Sequence, residues 1–76
     1  MRTRGFRFFF FSREGHEPPH IHVDREAMSA KFWIHPVALA RNVGFTPREL
    51  RGLHRIVQQH ETGFMEAWNG YFGENY

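Results

Sequence analysis

The sequence predicts an α+β fold in which an antiparallel sheet of three to four strands is followed by a C-terminal helix. Two observations support this prediction: apolar side chains alternate along the first half of the chain and recur at helical spacing along the second half. With 76 residues, the chain is interpreted as a single domain covering residues 1–76. Nine Phe, two Trp and two Tyr provide the large apolar areas that a core in so short a chain requires.

Composition excludes several classes of protein. Cysteine is absent, which rules out a disulfide framework and a thiolate metal site. The basic and then apolar start, MRTRGFRFFFF, lacks the long apolar stretch and the cleavage site of a signal peptide. No segment approaches the roughly 18 apolar residues of a membrane span. We therefore expect a soluble cytoplasmic protein with no membrane partner.

The first predicted strand covers Gly5 to Phe11 and is apolar on both faces. Phe6, Phe8 and Phe10 alternate with Arg7, Phe9 and Phe11. A domain with one helical layer covers only one of these faces, and an exposed row of Phe favours aggregation. We therefore expect a partner on this strand, either a second copy in a homodimer or a second small protein.

Two further strands form a predicted hairpin. Residues His20 to Asp24 and Met28 to Ile34 alternate so that all the apolar side chains fall on one face. A turn over Asp24 to Ala27 would place His22 opposite Ser29 and His20 opposite Lys31. The pattern of residues Val37 to Gly44 is compatible with a short fourth strand or with irregular structure.

The start of the helix has the clearest local signal. Thr46 and Glu49 form a T-x-x-E capping box, and Pro47 occupies the first turn, where its missing N–H is tolerated. Apolar residues then recur at helical spacing as far as Tyr71, which predicts one or two helices over residues 47–72. We expect any bend or break near Gly63.

The stretch GHEPPHIHV contains three of the six histidines of the chain. His20 and His22 project from the same strand face, about 6.6 to 7 Å apart. His16 precedes them in a loop that the paired prolines stiffen. Neutral imidazoles bind divalent transition metals such as zinc, so His16, His20 and His22 are the candidate metal ligands.

Two other interpretations of the histidine cluster remain open. In an enzyme, His20 and His22 would transfer protons during RNA cleavage, with Glu17 as the third catalytic residue and His16, Lys31 or Arg13 in support. In a structural or partner-contact role, the histidines would hydrogen-bond the loop and stack on Trp33 without doing chemistry.

Basic residues of the middle of the chain are candidates for nucleic-acid binding. Nine of the ten basic residues are Arg, and the formal net charge is +2. Arginines spaced three and four residues apart form a stripe along one face of the predicted helix. This stripe is either a solvated surface or a site for phosphates or an acidic partner. With two basic residues that precede the helix added, the candidates are Lys31, Arg41, Arg48, Arg51 and Arg55.

Nearly the whole chain resembles a small bacterial family of unknown function. The resemblance rests on GFRFFFFSREGHEPPHIHV, AKFWIHPVALARNVGFTPREL and FMEAWNGYF, and its most specific part is the E-P-P-H-x-H core at residues 17–22. It implies a β-rich first half, a helical second half, and frequent genomic pairing with a second small protein, as in toxin–antitoxin pairs. Taken together with the histidine cluster, this pairing favours the hypothesis of a toxin-like protein that acts on RNA through its histidines. The alternatives are a non-catalytic binding or dimerisation module and a histidine metal-binding protein.

Overall fold

The computed structural model describes residues 1–73 and has an α+β architecture. Five antiparallel strands lie in the sheet in chain order, and two helices follow them. The strands are β1 Arg2–Thr3, β2 Phe6–Phe9, β3 His20–Arg25, β4 Met28–Ile34 and β5 Val37–Val43, and the helices are α1 Pro47–Gln59 and α2 Glu61–Phe72. The α+β class and the order of strands before helices are confirmed, whereas three to four strands was too few.

The additional strand is β1, which pairs with β2 through a tight turn at Arg4 and Gly5. Both turn residues have positive φ angles, 51° for Arg4 and 82° for Gly5. Two consecutive positive φ values are typical of a two-residue hairpin turn, in which the first position usually carries Asn, Asp or Gly. Because Arg rarely adopts this conformation, the sequence gives little indication of the turn.

Strand β2 places its alternate side chains on the two faces of the sheet. Phe6 and Phe8 are buried in the core, and Phe8 stacks on Phe64 of α2 with ring centroids 6.0 Å apart. Phe10 follows the strand and lies against α2, where its ring is 5.5 Å from that of Trp68. The chain itself thus covers the helix-facing side of this strand, while Phe11 stays exposed. Association through residues 6–11 stays a prediction.

The hairpin of β3 and β4 forms, but its register differs by two residues from the predicted one. His22 pairs with Lys31 and His20 pairs with Trp33. The two-residue connection lies at Glu26 and Ala27, one residue later than predicted, and Glu26, with φ 55°, adopts the left-handed conformation that such a connection needs. A shift of two residues leaves every side chain on its predicted face, so Ile21 and Val23 still point into the core.

The segment after Pro36 forms strand β5, which lies at one edge of the sheet. Its residues from Ala38 to Val43 are exposed. An exposed strand does not need the apolar alternation that identifies a half-buried strand, and this is why the sequence left its structure open. Between β4 and β5 the register shifts by one residue: Phe32 pairs with Leu39, but Lys31 pairs with Arg41. Ala40 is therefore the extra residue of a β-bulge.

The first helix begins as predicted. Thr46 accepts a hydrogen bond from the backbone N–H of Glu49, and the Glu49 carboxylate accepts one from the backbone N–H of Thr46. Leu53 and Val57 are buried against the sheet. The helical region is interrupted at His60 rather than near Gly63, which lies inside α2. Neither helix is long and apolar enough to cross a membrane.

The second helix turns the end of the chain toward the loop between β2 and β3. Phe64 and Trp68 are buried, and the Trp68 ring lies 4.3 Å from that of Phe72. A Cβ atom added to Gly15 of the loop would lie 2.4 Å from the Phe72 ring, closer than side chains normally approach. The absence of a side chain at Gly15 thus lets the loop lie directly against α2.

The Gly15→Ala substitution is therefore expected to lower the free energy of unfolding by about 1 kcal/mol or more, because the methyl group overpacks this contact. Gly52→Ala is the matched control: a Cβ at Gly52 in α1 meets nothing within 4 Å, and Ala favours a helix by roughly 0.5–1 kcal/mol. Urea unfolding of both variants measures the difference. Equal effects of the two substitutions would contradict the contact.

Candidate functional site

The candidate site lies where the β2–β3 loop folds back over the start of β3. In this loop the backbone N–H of Glu14 donates to the carbonyl of Phe11, and that of Glu17 donates to the carbonyl of Glu14. These two successive turns reverse the chain direction. As a result, the side chain of Glu14 returns to the strand face that carries His20 and His22.

One carboxylate oxygen contacts both histidines. Glu14 Oε1 lies 2.8 Å from Nε2 of His20 and 2.8 Å from Nε2 of His22. The three ligating atoms lie within 4.8 Å of one another. Two imidazoles and one carboxylate that converge in this way can hold a divalent transition metal, because each atom offers a lone pair toward a common point.

His20 is the most constrained member of the cluster. Its side chain is fully buried, with the Trp68 ring 4.9 Å away and the Trp33 ring 5.9 Å away. The carbonyl oxygen of Pro18 lies 3.0 Å from Nδ1, and because a carbonyl can only accept, Nδ1 carries a hydrogen and donates. This bond fixes the ring so that Nε2 points at Glu14, as in most metal-binding histidines.

His22 is held less tightly and lies nearer the surface. Its ring stacks on Phe9 at 5.6 Å and tilts against Phe11 at 4.9 Å. Its side chain retains 12% exposure, whereas that of His20 has none. Solvent therefore reaches the cluster from the side of His22.

The cluster stabilises the ionised form of Glu14. Burial of the carboxyl raises its pKa, but the hydrogen bonds and charge attraction of His20 and His22 outweigh burial and lower the pKa of Glu14 to about 2. Glu14 is thus a carboxylate at neutral pH and accepts from an Nε2–H of each ring. A metal ion at this point would bind Nε2 of each ring in place of a hydrogen.

A shallow groove of about 320 Å³ borders the cluster on the sheet face opposite α1. Glu14 and His22 line it, together with Lys31 and Arg41. His22, Lys31 and Arg41 are successive partners across β3, β4 and β5, so they form one row across the sheet. The groove thus joins the cluster to two cationic side chains.

Comparison with protein families assigns most of the chain to one family. A family described as "Domain of unknown function (DUF4160)" matches residues 5–69, which include both helices up to Asn69 and the entire candidate site. The chain belongs to the DUF4160 family. No curated protein and no solved structure matches it.

The sequence-predicted site residues fall into two groups in this DUF4160 domain. His20 and His22 come together, whereas His16 has a 75% exposed side chain and is not among the converging residues. Glu17 lies beside the cluster rather than in it, because its carboxylate pairs with Lys31. The Lys31 hydrogen bond lowers the pKa of Glu17. The carboxylate that converges with the histidines is that of Glu14.

The candidate nucleic-acid-binding residues lie on different sides of the sheet. Lys31 and Arg41 line the groove. The exposed arginines of α1, Arg48, Arg51 and Arg55, belong to the helix that packs on the other face of the sheet, and Arg55 lines a separate depression near Thr3 and Arg4. The structure therefore brings only Lys31 and Arg41 near the histidines.

Sequence reasoning missed Glu14, although a signal was present. The loop between the strands contains two acidic residues, Glu14 and Glu17, and Glu17 is closer in sequence to the histidines. Proximity along a chain predicts contact only in an extended segment. Here Gly15 and the diproline indicated a folded loop, in which the more distant acid can return to the strand.

The low pKa of Glu14 predicts a pH dependence of stability. Because the folded-state value of about 2 lies below the ordinary value of 4.5, the ionised carboxylate stabilises the fold fully above about pH 4.5 and progressively less as the pH falls toward 2. In chelator, Glu14→Gln should be less stable than wild type at pH 7. This difference should shrink between pH 4.5 and 2.

Urea unfolding at several pH values tests this expectation. Glu66→Gln, which changes an exposed acid on α2, is the control and should follow wild type throughout. A deficit for Glu14→Gln that stays constant down to pH 2 would show that the carboxylate charge is not what stabilises the loop.

Proposed function

We propose that the protein binds a divalent transition-metal ion through Glu14 Oε1, His20 Nε2 and His22 Nε2. The observation that supports this proposal is the convergence of the three atoms within 4.8 Å of one another. In a tetrahedral zinc site the ligating atoms lie roughly 3.3 Å apart, given the usual bond lengths. On loading, the 2.8 Å contacts of Glu14 would therefore open by about half an ångström, and the two Nε2 atoms, which lie within 4.8 Å of each other, would take up a similar separation.

Three protein ligands leave at least one coordination position for a water or a substrate. Since Glu14 and His22 line the groove while His20 is buried, such a position would be reached from the groove. Three ligands with an open position are typical of catalytic metal sites, whereas structural sites are usually closed by a fourth side chain. Such an ion would act as a Lewis acid, polarising a substrate oxygen or lowering the pKa of its bound water.

The buried and anchored position of His20 favours metal binding over metal-free proton transfer. Both ring nitrogens of His20 are engaged, Nδ1 by Pro18 and Nε2 by Glu14, and its side chain is fully buried. Only His22 could then exchange a proton with a substrate, whereas cleavage of RNA by two imidazoles needs both. Metal binding needs only that the two Nε2 atoms face one point.

A toxin-like activity on RNA is the second candidate function. It is supported by the row of His22, Lys31 and Arg41, which sets an imidazole beside two cations on an open face of the sheet. Cations in such positions can stabilise the negative charge that develops during cleavage of a phosphodiester. Under this proposal the metal ion and Arg41 act on the same phosphate.

The metal proposal predicts that the purified protein binds about one zinc or cobalt ion per chain at pH 7 and releases it to a chelator. His22→Ala and Glu14→Gln should each weaken binding by at least about tenfold, since each removes one of three ligands. His16→Ala is the matched control, because His16 lies in the same loop but is exposed.

Elemental analysis and calorimetric titration measure this binding. A wild-type chain that takes up no ion would refute the proposal. So would a loss of affinity in His16→Ala as large as that in His22→Ala.

An RNA-degradation assay tests the second candidate separately. Cleavage that depends on the metal should be lost with chelator and restored by zinc or cobalt, and His22→Ala should be inactive. Cleavage by imidazoles alone should survive chelator and show a bell-shaped pH profile. If wild type degrades RNA no faster than His22→Ala in either condition, the ribonuclease candidate is wrong while metal binding stands on its own measurement.

A further inference from the structure

The β-bulge in β5 determines which side chain lies beside the histidine cluster. Beyond the turn at Pro36, β4 and β5 pair in steady register from Ile34 with Val37 to Phe32 with Leu39. In an unbroken ladder Lys31 would next pair with Ala40, and Arg41 would point to the helix-covered face. The extra residue instead pairs Lys31 with Arg41, so the guanidinium side chain lies on the groove side.

The charges around the groove leave an excess of positive charge once a metal is bound. Glu17 accepts a hydrogen bond from Lys31, so these two side chains balance each other. The carboxylate of Glu14 cancels half of the charge of a divalent ion. Arg41 is exposed and, within residues 1–73, forms no ion pair. The groove with its ion thus presents two uncompensated positive charges to an anion.

The distances suit a tetrahedral anion with several oxygens. Adjacent strands lie about 4.8 Å apart, so the backbones at His22 and Arg41 are separated by two such spacings, roughly 10 Å. A long Arg side chain that reaches back over Lys31 can meet an oxygen of an anion whose other oxygen is on the metal. The planar guanidinium donates paired hydrogen bonds, which match two oxygens of a phosphate.

We propose that the groove binds a phosphate group, with one oxygen at the open metal position and two oxygens on the Arg41 guanidinium. This inference rests on the proposed metal site and names the ligand class of that site. Lys31 lies between these two contacts. Its Nζ donates a hydrogen bond to Glu17 and lies 4.7 Å from the centre of the Trp33 ring. Inorganic phosphate and a phosphodiester such as a dinucleotide offer the same oxygens, so both serve as probes.

The test uses the full chain loaded with cobalt(II), whose visible spectrum reports both metal binding and any change of ligand. Inorganic phosphate and uridylyl-3′,5′-uridine are titrated separately, followed by absorbance and calorimetry. Wild type should show a saturable spectral change. Arg41→Gln should bind phosphate at least about tenfold more weakly, because a charged hydrogen-bond donor is lost. Arg41→Lys keeps the positive charge but loses the paired hydrogen bonds of the guanidinium, so its affinity for phosphate should lie between those of wild type and Arg41→Gln.

Arg48→Gln is the matched control, since it removes an exposed Arg from α1 on the other side of the sheet. All variants should bind cobalt as wild type does, because Arg41 and Arg48 do not contact the ligands. Binding of the dinucleotide in addition to phosphate would assign a phosphodiester as the ligand, and binding of phosphate alone would assign a phosphate ion or monoester.

Two results would overturn the inference, and they differ in what else they affect. If cobalt binds but phosphate leaves its spectrum unchanged, or if Arg41→Gln and Arg48→Gln bind phosphate equally, only the phosphate assignment is wrong. If wild type shows no cobalt spectrum, the metal site itself is refuted, and the phosphate assignment with it.

Discussion

The arrangement of the site depends on one carboxylate oxygen that accepts hydrogen bonds from two imidazoles. Glu14 Oε1 joins the β2–β3 loop to His20 and His22 on β3, and both contacts measure 2.8 Å. Because Glu14 keeps its charge down to a pKa of about 2, the loop is fixed to the strand throughout the neutral range. The same oxygen and the same two nitrogens are the atoms that a metal would use, so the interaction that closes the loop also prearranges the ligands.

The aromatic packing of α2 holds this loop from the other side. The interruption at His60 separates the part of the helical region that covers the sheet from the part that reaches the loop. Trp68 then contacts both Phe10 and His20, at 5.5 Å and 4.9 Å between ring centroids. Burial of His20 under Trp68 leaves His22 and Glu14 as the exposed members of the cluster, and both line the groove.

Local patterns predicted the parts of the fold that local chemistry determines. The capping box at Thr46 and the alternation of His20 to Asp24 depend on residues a few positions apart, and both are present in the structure. The two-residue register shift and the loop contact of Glu14 depend on backbone conformations, such as the positive φ of Glu26, that a sequence pattern does not specify. The faces were predictable because a shift of two residues preserves them, whereas the partners of each histidine were not.

The β-bulge beside Ala40 connects the edge of the sheet to the proposed chemistry. A bulge disrupts pairing and twists an edge strand, which by itself discourages edge-to-edge association of β5. In this protein it has a second effect, because it reverses the face on which Arg41 lies and sets it in the row of His22 and Lys31. In an unbroken register Arg41 would lie on the helix-covered face, so the bulge also keeps this charged side chain away from the core side of the sheet. The same register brings the guanidinium within reach of a ligand held by Glu14, His20 and His22, which is the arrangement that the proposed anion site requires.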